Sequence, residues 1–159
     1  MKTAGVIGSV VLAAVLLCGC NQKAVAEDQS GIWKSDYDAA LKQAAAENKP
    51  VLVSISGMAW CSWCRALDKE VLSKPEFIAY AKDNLICVLL DFDRSGHATK
   101  PEFAKQHEVL LEKFKVDGFP TVLILNPQGK VIKRTGYLPD GPLAYVEMIK
   151  AAIAADTVK

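Results

Sequence analysis

Two cysteines three residues apart, at the junction of a buried strand and a helix, restrict this chain more than any other feature. Val51 to Ile55 is an unbroken β-branched and aliphatic run, the composition of a strand covered on both faces. Gly57-Met58-Ala59 reads as a turn, and Trp60-Cys61-Ser62-Trp63-Cys64-Arg65 opens the helix that follows. Trp60, Cys64, Leu67 and Val71 recur at i, i+4, i+7 and i+11, which puts Cys64 on a core-facing stripe. Cys61 is expected to be exposed at the helix N-terminus, near unpaired backbone N–H groups and the positive end of the helix dipole. That setting stabilises a thiolate, and motifs of this kind lower a cysteine pKa from about 8.5 into roughly the 3.5–7.5 range. Cys61 is therefore the expected attacking thiol and Cys64 the thiol that resolves a mixed disulfide.

The flanking segments alternate in period. A helix starts near Ser35 with Asp38 three residues on, and Tyr37, Ala40, Leu41, Ala44 and Ala45 form its apolar face up to Asn48-Lys49-Pro50. Ser73-Lys74-Pro75-Glu76-Phe77 and Thr99-Lys100-Pro101-Glu102-Phe103 start two more helices. Leu85 to Leu90 is a second interior strand, and Asp91 to Lys100 a polar loop. Val122 to Leu125 and Val131 to Arg134, split by Asn126-Pro127-Gln128-Gly129-Lys130, read as a hairpin. A last helix begins at Pro142, with Leu143, Val146, Ile149 and Ile153 on one face, and a short strand is expected near Ile32-Trp33. This order predicts an α/β fold, a mixed four- to five-stranded sheet flanked by helices on both faces.

Lys and Arg number 19 against 18 Asp and Glu. Discounting the first nineteen residues, whose sole charge is Lys2, the two signs balance at 18 each. No basic surplus exists for nucleic acid to meet, so a nucleic-acid partner is not expected. The start of the chain is a targeting segment. Ala4 to Leu17 is uncharged, shorter than the roughly 20 apolar residues of a membrane span, and suits the h-region of a secretory signal. Leu17-Cys18-Gly19-Cys20 resembles a bacterial lipobox. By that resemblance residues 1–19 are a lipoprotein signal peptide, cleavage follows Gly19, and Cys20 carries the lipid. Residues 20–31 form a tether poor in large apolar groups, and 32–157 the folded domain. The expected setting is the bacterial cell envelope, facing the periplasm or cell exterior, where disulfides persist.

A second signature, Gly118-Phe119-Pro120-Thr121, precedes the hairpin, and Gly136 follows it. With the cysteine pair at its strand–helix junction, the sequence resembles a thioredoxin-fold thiol–disulfide oxidoreductase of the extracytoplasmic type. The resemblance implies a cis peptide bond at Pro120 opposite the two cysteines. It also implies a free Phe119 backbone that pairs with extended substrate, with Trp60 and Trp63 bordering the site. It implies protein thiols and disulfides as partners, a membrane electron donor of the DsbD type, and no cofactor beyond the Cys61–Cys64 disulfide. Two departures stand out. Ser54 occupies the position where thioredoxins usually bury an acid, while Asp91 and Asp93 end the next strand, so proton transfer to Cys64 falls to water or another carboxylate. Ser62-Trp63 between the cysteines lacks both the usual proline and the histidine of strong oxidants, which leans toward reduction.

Other readings compete. Cys61 and Cys64 with Cys87, His97 or His107 are candidate zinc ligands, but tetrahedral zinc needs four and no second CxxC is present. A Cu(I)-handling lipoprotein would use the same pair. A non-catalytic binding module would use only the Phe119 edge. Cys87 inside its apolar run reads as an inert buried thiol, His107 as a half-buried structural histidine, and Lys130 to Arg134 as a solvated face.

Overall fold

A computed structural model describes residues 31–158; the signal segment, Cys20 and the first part of the expected tether lie outside them. Five strands form one sheet. They are β1 (Trp33–Lys34), β2 (Val51–Ser56), β3 (Ile86–Asp91), β4 (Thr121–Leu125) and β5 (Val131–Thr135), in the spatial order β1-β3-β2-β4-β5. The first three run parallel, β4 is antiparallel to β2, and β5 is antiparallel to β4. The sheet is thus mixed, as expected, with β2 at its centre.

The helices follow the alternation of the strands. Along β2, Val51, Val53 and Ile55 face one core with Val88, Leu90, Leu123 and Leu125, while Leu52 faces the other with Cys87, Val122 and Ile124. Period two sends successive side chains to opposite sides, and both sides are dry. The first core is closed by α1 (Tyr37–Glu47) and α4 (Ala104–Lys113), through Tyr37, Ala40, Ala44 and Leu110. The second is closed by α2 (Ser62–Leu67) with its π-helical continuation Asp68–Leu72, by α3 (Pro75–Asn84) and by α5 (Gly141–Thr157).

Helix ends depart from the expected boxes in instructive ways. The cap of α1 is Asp36, whose carboxylate accepts from the N–H groups of Asp38 and Ala39 at 3.0 Å each. A carboxylate there satisfies two orphan donors at once, so Ser35 is spared. At the other end Asn48 takes a left-handed conformation (φ 51°) and its N–H reaches the Ala44 carbonyl. Neither Lys74 nor Lys100 caps its helix with a side chain; Pro at the first turn, with its preset φ, carries those starts. A short 3₁₀ turn, Pro101–Phe103, leads into α4. His107 on α4 is fully buried rather than half-buried, because Nε2 pairs with the Ser35 carbonyl at 2.8 Å and its ring lies among Phe92 and Phe103. The face from Lys130 to Arg134 is largely solvated, though the Arg134 guanidinium donates to the Phe114 carbonyl.

Candidate active site

Cys61 sits where β2 hands over to α2, and it is the N-cap of that helix rather than part of it. Its Sγ accepts the Cys64 N–H at 3.1 Å. A sulfur in that place replaces the oxygen that usually satisfies an orphan helix donor, and such a bond favours the thiolate when the pair is reduced. The two cysteines are joined in a disulfide with Cα atoms 5.2 Å apart, inside the range a disulfide tolerates. Cys64 is 2% exposed, as its stripe predicts, and Leu67 and Val71 continue that stripe into the core. Cys61 is 6% exposed, not open as expected. The disulfide draws its sulfur toward Cys64 on the buried side of the helix.

The turn ahead of the motif is held from β3. Asp91 Oδ1 accepts the Met58 N–H at 2.7 Å, and its Oδ2 accepts the Thr99 hydroxyl at 3.0 Å. Asp93 accepts from the N–H groups of Ser95 and His97, within its own loop. Both acids are thus occupied with local structure, and the loop N–H groups, His97 first, hold Asp93 below the usual carboxylate range. Ser54 is buried, paired in register with Val122 on the face that carries α2.

Trp60 is fixed from several directions. Its indole N–H donates to the Phe92 carbonyl at 2.9 Å, and its ring meets Phe119 edge-on at 5.4 Å. The Arg94 guanidinium lies 5.7 Å from the ring centre. Against the indole is Gly57, where a Cβ would fall 2.5 Å from the ring, so only glycine fits. The register pairs Thr121 with Ile55, near the end of β2. Phe119 and Pro120, just before Thr121, are thereby carried to the end of the sheet where the cysteines lie. The Phe119–Pro120 bond is cis, and the Thr121 hydroxyl closes this turn on the Gly118 carbonyl at 2.8 Å. Gly136 passes so near that a Cβ there would stand 3.0 Å from the Pro120 carbonyl oxygen.

Residues 37–147 match the family model described as a thioredoxin-like domain. The chain belongs to the thioredoxin-like family. The disulfide bond reductase DsbH of Chlamydia pneumoniae is 33% identical over 121 residues, which is 76% of this chain and 72% of that protein. A solved structure titled DsbH oxidoreductase superposes with a TM-score of 0.70 at 32% identity, covering 77% of this chain and 83% of that one. The thioredoxin-related protein DsbJ of the same organism is 32% identical over 111 residues, 69% of this chain but only 31% of that protein. The oxidised C-terminal domain of Neisseria meningitidis DsbD, at 21% identity, shares the fold alone (TM-score 0.55, covering 74% of this chain and 97% of that one). With these relatives and its cysteine pair at disulfide distance, the thioredoxin-like chain is a thiol–disulfide oxidoreductase.

The expected residues thus divide into two groups. Trp60, Cys61, Trp63, Cys64, Phe119 and Pro120 meet at one end of the sheet. Cys87 does not join them: it is 1% exposed and paired in register with Leu52, four residues before the end of β2. His107 lies in the opposite core layer, against Phe92. Among the described residues no three His, Cys, Asp or Glu side chains gather as metal ligands, and no helix is long and apolar enough to cross a membrane. Sequence reasoning overlooked Tyr137. Its ring lies 5.5 Å from that of Trp63, and its hydroxyl donates to Glu70, a bond that keeps the phenol protonated above its ordinary range. The available signal was its place directly after Gly136.

Proposed function

We propose that this oxidoreductase reduces disulfides of other proteins outside the cytoplasm, held at the membrane by lipid on Cys20. Cys61 is the nucleophile. Its thiolate attacks one sulfur of a substrate disulfide, forming a mixed disulfide and releasing the other substrate sulfur as a thiolate that takes up a proton. The Cys64 thiolate then attacks the Cys61 sulfur, which releases the second substrate thiol and closes the Cys61–Cys64 disulfide. Two electrons pass to the substrate, and a thiol donor of the DsbD type returns them. Trp60, Trp63, Phe119 and Pro120 border the reacting sulfurs, and the Phe119 backbone pairs with extended substrate.

The observation that carries this reading is the Cys64 N–H pointing at the Cys61 sulfur from a helix start. The direction is supported by the name of the relative that is 33% identical, a disulfide bond reductase, and by a dipeptide without histidine. Titration of the Cys61–Cys64 couple against glutathione tests it. A potential near that of thioredoxin, about −270 mV, is expected; one above about −180 mV, in the range of isomerases and oxidants, overturns the reducing direction. Mass spectrometry of the mature N-terminus tests the anchor, and a chain that begins anywhere but an acylated Cys20 removes it.

A further inference from the structure

Trp63 is 61% exposed, a large apolar side chain left in water between the two cysteines. Such exposure at a reacting centre calls for a physical reason. The ring is not loose. One face leans on Tyr137 at 5.5 Å with 31° between the planes, within the range of favourable aromatic pairs. Tyr137 is itself held at both ends. Its hydroxyl donates to Glu70, which lies seven residues after Trp63 and hence on the same side of the helix and its π-helical continuation. Its backbone follows Gly136, which is pressed against the Pro120 carbonyl and whose own carbonyl accepts the Tyr145 hydroxyl at 3.0 Å. A single residue from the loop after β5 thus ties the helix of the cysteines to the loop of Pro120. The remaining face of the indole is open and begins two residues from Cys61.

We propose that Trp63 and Tyr137 form an aromatic shelf that selects substrates carrying a large apolar side chain next to the reacting cysteine, and that Glu70 positions it. This rests on the substrate-reducing role given above to Cys61 and Cys64. An apolar neighbour of the substrate cysteine gains buried area on the open indole face, whereas an acidic one would lose hydration there with the Glu70 carboxylate close by. Glu70 touches no substrate; it acts through Tyr137 by keeping the shelf upright.

Single-turnover reduction of two disulfide peptides, identical except for Phe or Ser beside the cysteine, tests the proposal, with 2-hydroxyethyl disulfide as a substrate too small for the shelf. Pre-reduced protein is expected to prefer the Phe peptide by roughly threefold to tenfold, the factor an aromatic pair contributes beyond buried area. In Trp63→Ala and Tyr137→Ala the Phe-to-Ser ratio should fall toward one. In Tyr137→Phe and Glu70→Ala it should fall in part, through weaker peptide binding rather than slower exchange at saturation. Glu70→Gln, which still accepts the hydroxyl, should restore it. Equal rates on both wild-type peptides overturn the shelf alone. So does a loss in Tyr137→Ala that slows the peptides and 2-hydroxyethyl disulfide in equal proportion, since that is a structural effect. No wild-type turnover of any of the three disulfides overturns the reductase reading, and the shelf falls with it.

Discussion

The indole of Trp60 packs so closely on Gly57 that no room is left for even one methyl group between them. Three residues apart, they close the turn that delivers Cys61 to its helix, and Cys61 N–H completes it on the Gly57 carbonyl at 2.8 Å. Gly57→Ala must push the ring off its bond with Phe92 and away from Phe119. Overpacking of this kind costs about 1–3 kcal/mol. A lowered denaturation midpoint and an altered near-ultraviolet tryptophan signal are the expected results; an unchanged midpoint would mean that the turn yields freely.

The two cysteines should differ in chemistry once reduced. Cys61 is expected to react with iodoacetamide well before Cys64 near neutral pH, because the thiolate is the reacting form and the helix-start N–H groups favour it there. Cys64→Ser should trap substrate proteins on Cys61 as adducts that vanish on reduction, and Cys61→Ser should trap none. Cys87, buried at 1% exposure, should stay unmodified in the native protein. Peptide mapping after timed alkylation decides the order, and faster labelling of Cys64 would reverse the assignment.

Asp91 holds the same turn from the neighbouring strand. Asp91→Ala leaves the Met58 N–H without its acceptor, and losing a partner to a partly buried donor costs about 1–3 kcal/mol. Asp91→Asn keeps a carbonyl acceptor and should recover most of the loss. Chemical denaturation of the two variants measures this. If both are as stable as the parent, the carboxylate is not a strut.

Asp36 contributes to the acid side of stability. The Ala39 N–H, first, and the Gln106 amide hold its carboxyl below the ordinary value of 3.8. A folded-state pKa lowered in this way contributes stability that is complete above the unfolded value and is lost as pH falls through the folded one. Asp36→Ala should therefore cost about 1 kcal/mol at neutral pH, the usual worth of such a cap. The gap should narrow as pH drops below about 4. A gap that widens on acidification contradicts the cause given for the shift.

Local pattern made much of this protein legible. Strands β2 and β4 announce themselves as β-branched runs because both of their faces are dry, and Cys64 was assignable to the core because helical spacing fixes its side. Position at a strand–helix junction was enough to give the two cysteines different expected roles. Those features depend on neighbours within a few residues, which the order of amino acids states directly.

Tertiary structure decided the rest. Sequence puts Asp91 at the end of a strand without saying what it meets; the parallel pairing of β2 with β3 brings its carboxylate to Met58, and the loop that follows brings Thr99. His107 looks half-buried until the Ser35 carbonyl, 72 residues away, meets its ring nitrogen. Cys61 looks open until the disulfide turns it inward. Tyr137 carries no signal that points to Trp63 or Glu70, because the three come from separate segments and meet only when the loop after β5 closes over the helix of the cysteines. Contacts at long sequence separation depend on register and layer packing, and those follow from how whole elements bury their faces together, not from any local run of residues.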